Sequence, residues 1–143
     1  MSEVVVTSQT NLRNEVRYGA GYSFITDEPL AVGGEDAGPD PYKLLLAALG
    51  SCMSMTVTLY ARRKQWPLEQ VTVRLRQNRV HSKDCQECVQ NKEGFIHRIE
   101  RSVSVTGPLS DEQRARLEEI AHKCPVHKTL SSQIVITDLR NDE

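Results

Sequence analysis

Hydrophobic and polar positions alternate along much of this chain, and one long uncharged run interrupts the alternation. Val4-Val5-Val6 is a short β-branched stretch that predicts a strand, and Thr7 to Asn11 follow as a polar turn. Leu12 to Arg17 alternate, with Leu12, Asn14 and Val16 on one face and Arg13, Glu15 and Arg17 on the other. After Gly19-Ala20-Gly21, Tyr22 to Thr26 return as the second arm of a hairpin, so the pattern predicts an N-terminal meander of three strands. The stretch Leu30 to Asp40, with Gly33-Gly34 and Gly38-Pro39, has too little apolar content for a regular element and reads as a loop. It holds neither GxGxxG nor GKS/T, and no phosphate cradle is expected there.

The interruption is Leu44 to Ala61, where no charged residue occurs and apolar side chains fall on every side of a 3.6-residue wheel. That distribution predicts a helix buried all round. Asp40 suits its N-cap and Pro41 its first turn, while Pro67 disfavours helix at Trp66 and so ends it near Gln65. From Pro41 to Lys64 such a helix is roughly 36 Å long at ~1.5 Å per residue, more than a small domain usually covers alone. A second subunit is the natural cover. Ser51, Ser54, Thr56, Thr58 and Gly50 make a poor lipid-facing surface, so a central core helix is expected rather than a membrane span.

Beyond it, Val71, Val73 and Leu75 alternate with Thr72, Arg74 and Arg76, and Ile96 to Val105 keep the same period with Arg101 breaking the apolar face. The two runs predict a hairpin with a long loop from His81 to Gly94. Ser110 and Gln113 form a capping box, after which Leu117, Ile120, Ala121 and Cys124 fall on one helical face until Pro125 interrupts. Val126 to Leu130 fit one further turn, and β-branched Gln133 to Asp138 predict a last strand. The order is βββ, long helix, ββ, helix, β, an α+β chain.

Composition narrows the partners more than the fold. With 18 Lys+Arg against 19 Asp+Glu over 143 residues, no basic field invites nucleic acid or an anionic membrane surface. One domain spanning residues 1–143 is expected at this length. The N-terminus lacks a basic stretch followed by a long apolar run, and a cytoplasmic protein is expected. The four cysteines, Cys52, Cys85, Cys88 and Cys124, then read as reactive or metal-binding thiols instead of structural disulfides.

Cys52 and Cys124 each sit on an apolar helix face aimed at the same core. Buried cysteines often pack as small hydrophobes, and that reading stands beside a chemical one. Cys85 and Cys88, with His81 and His97, form a Cys2His2 set of the kind that binds zinc, against the plainer readings of two loop thiols or a redox pair. His127 either tunes Cys124 or is only a polar residue at a helix end.

The sequence around the two buried thiols favours chemistry. Gly38-Pro39-Asp40-Pro41-Tyr42 through Leu44 to Cys52, with Thr56 and Tyr60-Ala61-Arg62-Arg63, resembles the first cysteine motif of the OsmC/Ohr family (osmotically inducible and organic hydroperoxide resistance proteins). Cys124-Pro125-Val126-His127-Lys128-Thr129-Leu130 resembles the second, and the likeness covers nearly the whole chain. It implies the OsmC-like fold as an intertwined homodimer, with the long helices central and the sites at the subunit interface. It further implies a thiol peroxidase for organic hydroperoxides that uses no cofactor and is reset by a dithiol reductant such as a lipoyl protein. By position Cys52 is the peroxidatic and Cys124 the resolving cysteine, and Arg17 is matched to the family's activating arginine, with Arg13 second. In the Ohr branch a glutamate follows the helix-opening proline and holds that arginine, whereas Tyr42 and Lys43 stand here, leaving Glu35, Asp36 or Asp40 to supply a carboxylate. That departure keeps open an alternative: a protein of the same fold that binds an apolar small molecule or senses redox state without turning over peroxide.

Overall fold

The computed structural model describes residues 2–81 and 95–139. The chain forms two compact units, Met1–Ala47 and Ala48–Glu143, with the boundary inside the long helix.

In the first unit β1 (Val4–Ser8), β2 (Asn14–Tyr18) and β3 (Tyr22–Thr26) form an antiparallel sheet in the order β1-β2-β3, the meander expected from the alternation. Val16 pairs with Val6 and Phe24 across the sheet and is buried. β2 begins later than the alternation suggested because Asn11 turns left-handed (φ 56°) and the Gln9 N–H closes on the Arg13 carbonyl at 2.8 Å. Leu12 and Arg13 therefore belong to the turn. A single 3-10 turn, Leu30–Val32, punctuates the following loop.

That loop is wound around Asp27. Its buried carboxylate accepts the backbone N–H groups of Glu28 (2.8 Å), Glu35 (3.2 Å) and Ala37 (3.1 Å). Burial pushes such a carboxyl up, but the three amide donors and the Arg13 charge outweigh it and hold Asp27 below the usual carboxylate range. The turns this requires bring backbone against backbone. A Cβ on Gly34 would lie 1.9 Å from the Glu28 carbonyl oxygen and one on Gly38 2.1 Å from that of Ile25, so both positions need glycine.

Helix α1 spans Pro41–Lys64, and Asp40 caps it as expected, accepting the Lys43 N–H at 2.9 Å. In the second unit α1 is followed by the hairpin of β4 (Gln70–His81) and β5 (Phe95–Thr106), then by α2 (Asp111–Ala121) and α3 (Pro125–Leu130). The core joins Leu49, Met53, Val57 and Ala61 of α1 to Val105 of β5, Leu117 and Ala121 of α2, and Cys124. The capping box at the start of α2 is present, with Gln113 N–H to Ser110 Oγ at 3.1 Å and Ser110 N–H to Gln113 Oε1 at 3.0 Å.

Within one chain α1 buries one stripe at four-residue spacing, while Met55 and Leu59 are 64% and 55% exposed. A single chain supplies cover for one face only. Two expectations are corrected. The second helix stops at Ala121, before Cys124, which instead starts α3. The last strand over Gln133–Asp138 does not form among the described residues, although its composition is right, because a strand needs a neighbour and neither sheet pairs with it. Ile134, Val135 and Ile136 are left exposed.

Candidate functional site

Chemistry concentrates where α1 meets the start of α3. Cys52 stands in the middle of α1, half-buried, its carbonyl accepting the Thr56 hydroxyl at 2.7 Å. Cys124 is the N-cap of α3 and fully buried. Pro125 at the first position of this helix has no N–H to satisfy, so the first two free amides are those of Val126 and His127. The Val126 N–H donates to Cys52 Sγ at 3.5 Å and the His127 N–H to Cys124 Sγ at 3.2 Å. One helical turn thus serves both thiols.

The structure brings the two sequence-predicted cysteines together, and their side chains touch. Burial pushes the Cys124 thiol up from its ordinary range and the adjoining Cys52 thiol adds to this, while the His127 and Val126 amides oppose it. Cys124 is accordingly a protonated thiol near neutral pH. The half-exposed Cys52 is the one a small molecule can reach.

Arg17 and Arg13 lie in the first unit. Arg17 is an exposed residue of β2 whose Nε is 3.4 Å from the Glu15 carboxylate, and it sits on the rim of an apolar groove of about 1230 Å³ lined by Val4, Val6, Val16, Phe24 and Leu44. Arg13 is half-buried, has its Nε enclosed without a partner, and lies 3.8 Å from Glu35. Of the three carboxylates named as substitutes, Glu35 is therefore the one beside an arginine. Asp40 is taken by Lys43 at 2.6 Å, a pair that holds the Asp40 carboxyl low and the Lys43 ammonium high.

Cys85 and Cys88 lie outside the described residues, as does the side chain of His81, while His97 Nδ1 is 3.0 Å from Gln77 Nε2. The zinc set is untested by this geometry.

Sequence reasoning missed a cluster against the second cysteine. The Arg101 guanidinium forks to Nδ1 of His127 and Nδ1 of His122. Arg101 interrupting the apolar face of β5 was the available signal. Because a guanidinium only donates, both imidazoles must accept at Nδ1 and carry their hydrogen on Nε2. Burial first, then Arg101 and His122, hold His127 below the ordinary histidine range.

An α+β fold with a long helix and two thiols joined through one short helix defines a class of thiol proteins. The chain belongs to the OsmC-like protein family, whose model matches residues 33–137. No curated protein sequence matches it. Among solved structures it shares its fold with an osmotic stress induced and detoxification response protein of Psychrobacter arcticus, at 22% identity over 90% of this chain and 88% of that one, with a TM-score of 0.70. An organic hydroperoxide resistance protein OsmC of Legionella pneumophila matches at 20% identity, over 91% and 88%, with a TM-score of 0.64. An OsmC-like protein of Mycoplasma pneumoniae matches at 16% identity, over 92% and 87%, with a TM-score of 0.69.

Proposed function

We propose that this protein is a thiol-dependent peroxidase that reduces organic hydroperoxides to alcohols. The observation that carries the reading is the contact between Cys52 and Cys124, each accepting a backbone amide from the same turn of α3. Cys52 as thiolate attacks one oxygen of the O–O bond, becomes a sulfenic acid, and the alkoxide leaves and is protonated to the alcohol. Cys124 then attacks the sulfenic sulfur, water leaves, and a disulfide joins the pair. A dithiol, of the lipoyl kind, returns both thiols by exchange.

The division of labour follows from burial. Cys52 is the reachable thiol and accepts the Val126 N–H, whereas Cys124 is buried and stays protonated until a sulfenic acid stands beside it. Of the two arginines matched to the family's activating cation, Arg13 is half-buried beside Glu35 with a donor to spare, whereas Arg17 is exposed and paired with Glu15, which favours Arg13. Glu35 takes the part that the residue after the helix-opening proline plays in the Ohr branch. The protein acts as a homodimer, since the bare Met55 and Leu59 face of α1 and residues 133–138, which pair with neither sheet, both suit cover by a second copy.

Dithiol-dependent reduction of an alkyl hydroperoxide tests the reading: Cys52→Ser abolishes it, and activity that survives the change refutes the assignment. The second reading, a binder or thiol sensor without turnover, is favoured by Lys43 in the glutamate region, locked to Asp40. Under that reading hydroperoxide leaves both thiols reduced.

A further inference from the structure

The fork of Arg101 is placed to do more than pack. Its two imidazole partners flank Cys124 in sequence, His122 just past the end of α2 and His127 in the first turn of α3. No carboxylate lies within ion-pair distance of Arg101 among the described residues, so the acceptors that satisfy this half-buried guanidinium are neutral imidazoles. His127 is also the residue whose backbone N–H holds Cys124 Sγ. We propose that Arg101, His122 and His127 form a latch that holds the Cys124 turn in its reduced position, and that protonating either histidine releases the turn for disulfide closure.

The physical basis is a conflict of charge. Arginine stays protonated throughout, and an imidazolium has no lone pair for it to donate to and repels it instead. The groups facing the fork are Arg101 from β5, His122 after α2 and the thiols of Cys124 and Cys52, while Lys123 and Lys128 are exposed. Closing a disulfide draws two sulfurs from contact to about 2.05 Å, so the Cys124 turn must shift, and the latch resists that shift. Loosening it speeds closure. The lowered affinity of His127 for protons keeps the latch shut at neutral pH.

This inference rests on Cys52 and Cys124 being a working pair, and its test uses a disulfide reagent rather than a peroxide, so a chain without peroxidase activity still answers it. One equivalent of 4,4′-dithiodipyridine forms a mixed disulfide on Cys52 with release of one thiopyridone. Cys124 then displaces the second thiopyridone, two thiols having been oxidised and one reagent disulfide reduced. The Cys52–Cys124 linked peptide is quantified by mass spectrometry after acid quench, from pH 5 to 8. In the native protein the closure rate at pH 5 stands about tenfold above the line set by thiol ionisation at higher pH, one pH unit of histidine titration being worth tenfold in latched population. Arg101→Gln and the double change His122→Asn, His127→Asn both raise the closure rate at pH 7 to 8 about tenfold and remove the acid limb, so that their rates follow thiol ionisation throughout. A native profile that follows thiol ionisation throughout, or an acid limb that persists in the variants, overturns the proposal. Should Arg101→Gln fail to fold, the histidine C2 proton titrations of the native protein decide: His127 titrates below the ordinary range, and an ordinary His127 titration contradicts the latch.

Discussion

At the scale of single residues, the two thiols differ in surroundings and therefore in role. Cys124→Ser leaves the attack at Cys52 intact, and the expected outcome is one turnover followed by a sulfenic acid that dimedone traps. Among the arginines, Arg13→Lys lowers the rate of Cys52 oxidation by about tenfold or more, because a point charge cannot reproduce the guanidinium fork, while Arg17→Lys changes it little. Rapid-mixing measurement of Cys52 oxidation with an alkyl hydroperoxide separates the two. Two groups set successive steps in the loss of stability on acidification. Asp27 has its carboxyl depressed in the folded state, so its contribution is complete above the unfolded value of about 3.9 and is lost as pH falls through the lower folded value. His127 is also depressed, but it is a base. The unfolded chain binds the proton more readily, and stability falls as pH drops from about 6.5 through the folded value, then levels off. Thermal melts between pH 3 and 8 should show both losses, the second missing in His127→Asn. A melting point flat from pH 7 to 5 contradicts the His127 assignment.

At the scale of elements, periodicity was a good guide wherever an element carries its own signal. The ends of α1 were legible because Asp40, Pro41 and Pro67 act locally, and the capping box at Ser110 likewise depends on residues three apart. Ser110→Ala should cost about 1 kcal/mol and Met53→Ala, deep in the core, about 2–5 kcal/mol, both readable by denaturant unfolding. What periodicity could not give was the partner of each element. The run from Gln133 to Asp138 has strand composition, yet its residues pair with neither sheet among the described residues. The Arg101 fork was equally hidden, since it joins a strand to residues more than twenty positions away. The loop around Asp27 reads in sequence as glycine-rich and polar, and only the fold reveals one carboxylate gathering three amides. Asp27→Asn keeps the shape but weakens the acceptor, and should lower the melting point by several degrees.

At the scale of the whole molecule, α1 is long and apolar enough to cross a membrane by length and composition alone, yet its Leu49, Met53, Val57 and Ala61 stripe is spent on the core of the second unit. The other face, with Met55 and Leu59, is bare in one chain. Cover by a second copy, as proposed above, would account for it. Replacing both Met55 and Leu59 by Glu should turn a dimer into a monomer by analytical ultracentrifugation, and a native protein that sediments as a monomer contradicts this part of the account. The family itself was legible because both cysteine motifs are contiguous in sequence, whereas the difference in burial and partners between Arg13 and Arg17 follows no local pattern and emerges only from the fold.

The central claim is that Cys52 and Cys124 act together on a hydroperoxide. Incubating the reduced protein with one equivalent of cumene hydroperoxide and mapping the thiols by mass spectrometry tests it directly. The account predicts a Cys52–Cys124 disulfide with release of one equivalent of cumyl alcohol, and loss of both in Cys52→Ser. Intact hydroperoxide beside two free thiols would contradict it.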